Sequence, residues 1–307
     1  MTRVAAIDMG TNSTRLLIAD VEGHGRDARS TTLDRRMTIT RLGQDVDARR
    51  RLHPDAIART LDALREYGDA MRAARVERAR AVATSAARDA TNRDELFDAA
   101  LPLLGTRPEL IDGTEEAELS FLGATAELGG DGAPYLVVDI GGGSTEFVAG
   151  STTPEASISV DMGCVRLTEQ FLRSDPPNAE ELSIAVGHVR DQLGDVDRAV
   201  PGATSAKTLV GLAGTVSAMA AIEQGLTAYD RERIHGFRLS RDAAEDVFRT
   251  LATESHAQRR HNPGLEPDRV DVIVGGAIVV VTIMRTYGFD EMLVSEADIL
   301  DGLVRTT

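Results

Sequence analysis

Tryptophan is absent from this chain, and aromatic residues make up only 4% of its 307 positions. That disfavours a surface that reads single strands by stacking bases on rings. Cysteine occurs once, as Cys164, so no intramolecular disulfide can form, in keeping with a reducing compartment. Lysine also occurs once, as Lys207; the other basic residues are all arginines. Acidic residues outnumber basic ones 49 to 34, and the net charge of −15 argues against a general nucleic-acid binder, which needs a basic face. No apolar run suits a bilayer. The longest, Val272 to Met284, is interrupted by Gly275-Gly276, falls short of the roughly 20 residues a span requires, and reads as a buried helix. The chain reaches Asp8 too early for a signal peptide. These absences set the expectation of a cytoplasmic protein with neither a membrane nor a nucleic-acid partner.

What is present is a short motif that occurs twice. Asp8-Met9-Gly10-Thr11-Asn12-Ser13-Thr14 recurs as Asp139-Ile140-Gly141-Gly142-Gly143-Ser144-Thr145, with D-x-G-x-x-S-T in common. Each copy follows an apolar run, Val4 to Ile7 or Leu136 to Val138, and precedes another, Leu16 to Ala19 or Phe147 to Ala149. Each reads as a β-hairpin with a tip rich in Gly, Ser and Thr. Exposed N–H groups at such a tip form an anion-binding concavity, and the Asp at its base suits a divalent cation. A single hairpin of this kind would be structural by default; two in matching context point to one phosphate and its metal held from both sides.

The pattern around the motif repeats as well. Strands are expected at 3–8, 13–21 and 36–42, a helix from Leu52 to Ala74, a strand at 79–86, a helix started by Asn92 and Glu95 with Leu96 and Leu101 buried, a strand at Leu110-Ile111, and a helix over 115–128 capped by Thr114. The second round has strands at 135–150 and 156–160, helices at 165–172 and 179–194, a strand at 209–212, helices from Ser217, at 240–253 and at 270–286, a strand at 292–294, and a last helix capped by Ser295 with Asp298. This order predicts an α/β fold of two related halves with a ligand cleft between them. The first half is 1–122 plus the C-terminal segment from about 291 to 307, the second is 123–290, and Gly129-Gly130-Asp131-Gly132 loosens the chain at the change.

The chemistry is carried by carboxylates. Alternation along a strand puts Ser144 and Glu146 on one face, so Asp139 and Glu146, with Asp8, are candidate ligands for Mg²⁺, which takes few carboxylates and keeps several waters. Gly113-Thr114-Glu115-Glu116-Ala117-Glu118 puts three more at a helix start. Acidic residues favour helix N-termini for electrostatic reasons alone; the sharper reading is that one of Glu115, Glu116 and Glu118 activates water as a general base, and position does not choose among them. Other signals are weaker. Cys164 has no histidine nearby in sequence and reads as a small buried side chain. The six histidines lack metal spacing, and His235 reads as a loop or domain contact. There is no G-x-x-x-x-G-K-[ST], and Gly211-Leu212-Ala213-Gly214 lacks the third glycine of a dinucleotide loop. Arg49-Arg50-Arg51 reads as a solvated charge run.

These residues resemble the exopolyphosphatase and guanosine pentaphosphate phosphohydrolase family, a branch of the actin, Hsp70 and sugar-kinase superfamily. The resemblance covers nearly the whole chain: Asp8 to Ser13, Ala83 to Arg88, Gly113 to Ala117, Asp139 to Glu146, Gly163 to Thr168, Gly211 to Thr215, and Asp268 to Gly276. It implies two duplicated ribonuclease-H-like domains, each a mixed sheet flanked by helices, with the active site in the interdomain cleft. By the same resemblance Glu116 is the catalytic base, Asp139 and Glu146 organise Mg²⁺ (or Mn²⁺) and the lytic water, and Arg88 lies near the phosphate chain. Gly10, Thr11, Asn12 and Ser13, with Gly141, Gly142, Gly143, Ser144 and Thr145, bind the terminal phosphate, and Gly214-Thr215 matches the loop that faces the nucleoside side in ATP-using relatives.

The implied reaction is in-line attack of water on a terminal phosphoryl group of inorganic polyphosphate. Removal of the γ-phosphate from guanosine pentaphosphate, or action on the tetraphosphate, would use the same site. An ATP-binding switch or a sugar or acid kinase are the readings from other classes; the helix-start glutamate favours water as acceptor. The resemblance also implies a homodimer. Longer members carry extra helical domains that extend the substrate channel, and a chain stopping at Thr307 leads us to expect shorter polyphosphates or nucleotides.

Overall fold

A computed structural model describes residues 1–128 and 130–307, so Gly129 of the expected linker lies outside the described residues. The chain divides into two compact units, Met1–Ala126 with Asp298–Thr307, and Glu127–Ala297.

The first unit is built from β1 (Thr2–Met9), β2 (Ser13–Glu22), β3 (Arg29–Ile39), α1 (Val46–Arg49), α2 (Pro54–Ala74), β4 (Arg78–Ala83), α3 (Ser85–Asp89), α4 (Arg93–Leu104), β5 (Glu109–Leu110) and α5 (Gly113–Thr125). Its sheet has the order β3-β2-β1-β4-β5, antiparallel from β3 to β1 and parallel from β1 to β5. Strand alternation divides β1 between two cores. Ala5, Ile7 and Met9 face Leu64, Tyr67, Leu96 and Phe97, whereas Val4 and Ala6 face Leu119, Leu300 and Leu303. The C-terminal helix, Ile299–Thr306, lies against α5 at near backbone contact: a Cβ on Gly123 would sit 1.9 Å from the Asp298 carbonyl oxygen, and one on Gly302 would sit 2.1 Å from that of Leu119.

Several local expectations are corrected here. The third strand starts at Arg29 rather than 36, because it is an edge strand whose polar residues are held by the ladder to β2 and carry no hydrophobic signal. Asp112, not Thr114, caps α5, its carboxylate accepting from the Thr114 and Glu115 amides at 2.9 Å each. Leu101 is exposed. Asn92 precedes α4 without capping it; its side chain instead clasps the Leu52 backbone, accepting from N–H at 2.8 Å and donating to the carbonyl at 3.3 Å.

The second unit contains β6 (Tyr135–Ile140), β7 (Thr145–Gly150), β8 (Pro154–Val160), α6 (Cys164–Phe171), α7 (Ala179–Ala199), β9 (Thr208–Leu212), α8 (Ala213–Glu223), α9 (Arg231–Ile234), β10 (Arg238–Ser240), α10 (Arg241–Thr253), α11 (His256–Arg259), α12 (Ile273–Tyr287) and β11 (Glu291–Val294). Its order is β10-β11-β9-β6-β7-β8. Read from β8 to β11, it repeats β3 to β5 strand for strand, including the change from antiparallel to parallel pairing after the third strand. The fold is thus α/β, two mixed sheets flanked by helices in the duplicated ribonuclease-H-like arrangement. Every residue of α12 from Ile273 to Met284 is buried, as its all-round apolar sequence requires. No helix among the described residues is long and apolar enough to cross a membrane. The segment from 291 is corrected: β11 pairs with β9 in the second sheet, where Met292 and Val294 are buried, so the chain returns to the first unit only at Asp298. Ser295 does not help to cap the last helix; it bonds to Ala297, and Asp298 accepts from the Leu300 amide at 2.9 Å.

Candidate active site

In each unit the chemistry-bearing segments follow the carboxyl ends of parallel strands, the end of an α/β sheet where ligands bind. In the first unit Gly10 to Ser13 follow β1, Ser85 to Arg88 follow β4, and Ile111 to Glu116 follow β5. Arg88 donates from Nη1 to Glu116 Oε2 at 2.7 Å and to the Ile111 carbonyl at 3.2 Å. Glu115 instead forms a half-exposed ion pair with Arg80, and Glu118 is exposed. Of the three helix-start carboxylates, Glu116 is therefore the one joined to Arg88.

The two hairpin tips share one geometry. The Gly10 amide donates to the Ser13 carbonyl at 2.9 Å, and the Gly141 amide to the Ser144 carbonyl at 3.0 Å. Each tip is also held from behind through its carbonyls. Gly43 N–H reaches Thr11 O, and the Thr40 and Arg41 amides reach Asn12 O. In the second copy Cys164 N–H reaches Gly141 O, the Val165 and Arg166 amides reach Gly142 O, and Arg166 Nε reaches Gly143 O. A trans peptide points its C=O and the next residue's N–H in opposite directions. Pinning those carbonyls turns the N–H group of Asn12 in the first tip, and those of Gly142, Gly143 and Ser144 in the second, the other way, so that each tip by itself has the arrangement of an anion-binding nest. The side-chain amide nitrogen of Asn12 is buried without a hydrogen-bond partner, a further donor at the first tip.

The carboxylates of the two copies are embedded differently. Asp139, Glu146 and Ser159 are directly opposite one another across β6, β7 and β8. Glu146 is 1% exposed, and its Oε1 accepts from Ser144 Oγ at 2.7 Å and from Ser159 Oγ at 2.6 Å. In the first copy the residue opposite Asp8 is Arg15, which binds Asp8 Oδ2 through Nε at 3.0 Å and Nη2 at 2.6 Å. Arg15 Nη1 continues to Asp298 at 2.5 Å, and Arg35 joins Asp298 and Asp301. Burial pushes the Asp8 carboxyl above the usual carboxylate range, a shift that Arg15 opposes and Asp298 reinforces. Asp8 Oδ1 is buried with no hydrogen-bond partner.

These surroundings sort the candidates. Gly10, Thr11, Asn12 and Ser13, and Gly141, Gly142 and Gly143, lie in the tips as expected. Ser144 has its hydroxyl on Glu146 and offers its amide. Thr145 is corrected: fully buried on β7, its hydroxyl donates to the Met162 carbonyl and faces inward. Gly214 follows β9, with the Arg269 guanidinium against its α-carbon, and Thr215 is buried against Gly276. Among the described residues no group of three His, Cys, Asp or Glu side chains is gathered to hold a metal. A cation that completes its shell with substrate oxygens and water needs only one or two carboxylates. In the second unit the opposed pair Asp139 and Glu146 fits that demand, and in the first unit the orphaned oxygen of Asp8 fits it separately.

Arg15 and Ser159 carry no signal in the motifs, while Gly163 and Arg166 entered only within the Gly163 to Thr168 match and Asp298 only as a helix cap, none of them with a role at the site. Arg15 could have been found from hairpin register, since it occupies in the first copy the place of Glu146 in the second. The others depend on which distant segment packs behind each loop. Cys164 is buried, and burial pushes its thiol upward. We expect a thiol reagent to label it only after denaturation; stoichiometric labelling of the native protein within minutes would contradict this placement.

A model of the Ppx/GppA phosphatase family matches residues 17–306. The chain is 49% identical to Exopolyphosphatase 2 of Mycobacterium tuberculosis, over 99% of this chain and 98% of that protein. A crystal structure of an exopolyphosphatase-like protein superposes with a TM-score of 0.93 at 39% identity, covering 99% of this chain and 98% of the other. The crystal structure of the Aquifex aeolicus Ppx/GppA family member gives a TM-score of 0.81 at 31% identity, covering 99% and 96%.

Proposed function

The chain belongs to the Ppx/GppA phosphatase family, and from that premise we propose that it releases terminal orthophosphate from inorganic polyphosphate by attack of a glutamate-activated water. Full-length similarity to a protein named Exopolyphosphatase 2 supports the substrate. The observation that carries the chemistry is the bond between Arg88 and Glu116. Glu116 takes the proton of the attacking water, and Arg88 holds that carboxylate in place while its charge faces the phosphate chain. The amides of Asn12, Gly142, Gly143 and Ser144, with the Asn12 side chain, hold the equatorial oxygens, fixed donors that need no reorganisation as charge develops. Asp139 and Glu146, with Asp8, would hold Mg²⁺ or Mn²⁺. Bound there, the ion would supply charge neutralisation at the phosphoryl oxygens. Gly214-Thr215 would face the far side of the substrate. The reading includes a cytoplasmic location and a homodimer, the latter checked by light scattering in solution.

The test offers short polyphosphate, long polyphosphate and guanosine pentaphosphate in parallel, with Mg²⁺ or Mn²⁺ and with chelator. We expect phosphate release from polyphosphate that stops on chelation. Release from the guanosine nucleotide alone would transfer the activity to that substrate, and release from none of the three would end the hydrolase reading.

A further inference from the structure

The second phosphate loop contains three glycines in a row, the least self-determined backbone a loop can have. Its conformation must therefore be imposed from outside. The structure shows what imposes it. Four donors from the segment Cys164 to Arg166 converge on three successive carbonyls: Cys164 N–H on Gly141 at 3.0 Å, Val165 and Arg166 N–H on Gly142 at 2.9 and 3.1 Å, and Arg166 Nε on Gly143 at 2.7 Å. The first turn of α6 thus directs its amides at protein carbonyls, not at a ligand. Gly163 lets this turn come so close: a Cβ there would lie 2.2 Å from the Gly142 carbonyl oxygen and 2.5 Å from the Gly143 nitrogen, both backbone atoms of the loop itself. The Arg166 side chain is only 10% exposed, so its guanidinium is held within the fold.

We propose that Gly163 and Arg166 are positioning residues of the phosphate loop. Arg166 turns the peptide between Gly143 and Ser144 so that the Ser144 amide faces the substrate, and Gly163 sets the distance at which it can do so. The role assigned to Arg166 is that of an N–H donor to a carbonyl rather than a charge on the phosphate. The proposal rests on the phosphate-binding role of this loop given above.

Two substitutions separate the alternatives. Glutamine places its amide nitrogen the same number of bonds from Cα as arginine Nε, so Arg166→Gln keeps the donor and removes the charge. Arg166→Met has similar length and neither. Misplacing a reacting group by about 1 Å can cost about 10² in rate, so we expect Arg166→Met to lose roughly ten- to a hundred-fold in kcat/KM and to bind inorganic phosphate correspondingly more weakly. Arg166→Gln should recover most of that loss. Gly163→Ala, which touches no charge, should reproduce the Arg166→Met defect, and the Gly163→Ala/Arg166→Met double variant should be less impaired than the product of the two, since both act on one loop. Equal loss in the Gln and Met variants would overturn the proposal by making the charge itself the functional group. Wild-type phosphate affinity in Gly163→Ala would overturn it equally. Thermal melts run alongside tell unfolding from misplacement, and the Gln-against-Met contrast stands even if Gly163→Ala fails to fold. Inorganic phosphate binding by calorimetry needs no turnover. A wild type that binds phosphate but releases none from polyphosphate therefore sinks the function proposed above, while the variants' phosphate affinities still decide this inference.

Discussion

Glu116→Gln is expected to abolish most turnover, by about 10²–10⁴-fold in kcat, while leaving the melting temperature nearly unchanged. The substitution suits the question because of how Glu116 is held. Its Oε2 accepts from Arg88 Nη1, and a glutamine amide oxygen can accept the same bond, so shape and that contact survive while charge and basicity are lost. Glu116 also sits beyond the two residues whose amides Asp112 caps, so the start of α5 does not depend on its charge. Glu115→Gln is the matched control. It removes a half-exposed pair with Arg80, the kind of contact worth about 0–1 kcal/mol, and should leave kcat within a few-fold. Phosphate-release kinetics on the two variants decide the matter: a Glu116→Gln enzyme retaining more than about a tenth of wild-type kcat falls outside the range for a general base and would remove Glu116 from that role.

The contrast between Glu115 and Glu116 illustrates what sequence alone could resolve. Helix-start position made both candidates, and dipole complementation accounted for both equally well. Only the pairing of β4 with β5 brings Arg88 to one and Arg80 to the other. The hairpins were legible because strand, tight turn and strand are local, and hydrophobic alternation with glycine at the tip states them within some fifteen residues. The duplication was legible because the same local signal occurs twice. The first part of the edge strand β3, before residue 36, was not, because an edge facing solvent has no apolar face to declare itself. Nor was the inward turn of Thr145, whose partner Met162 belongs to a later segment. Asp8 and Asp139 looked equivalent in the motif. Their difference lies one residue past it, where Arg15 stands opposite one and Glu146 opposite the other.

That difference leads to the second large effect, on stability. Arg15→Met should destabilise the protein by about 3–5 kcal/mol, the range for removing one partner of a buried ion pair, against a total stability of about 5–15 kcal/mol for an ordinary domain. The side chain it removes joins Asp8, 3% exposed, to Asp298 at the start of the C-terminal helix. Without it, two buried carboxylates face each other, and Asp8 Oδ2 loses both of its bonds to Arg15. The pH dependence identifies the cause. Burial already holds the folded Asp8 carboxyl above its usual range, and Arg15 is the group that opposes this. Loss of Arg15 pushes it further up, whereas in the unfolded chain it titrates near about 3.9. A raised carboxyl pKa gives stability at low pH that is lost as pH climbs from the unfolded value through the folded one. The deficit of Arg15→Met relative to wild type should therefore be full at pH 8 and shrink on acidification. Adding Asp8→Asn, which removes the stranded charge, should recover part of the loss at pH 8 and little at low pH. Urea unfolding of wild type, single and double variants at pH 8 and pH 5 measures all three terms. A deficit that is the same at both pH values, or that the second substitution deepens, would mean that Arg15 acts through packing of its aliphatic stem and not through Asp8.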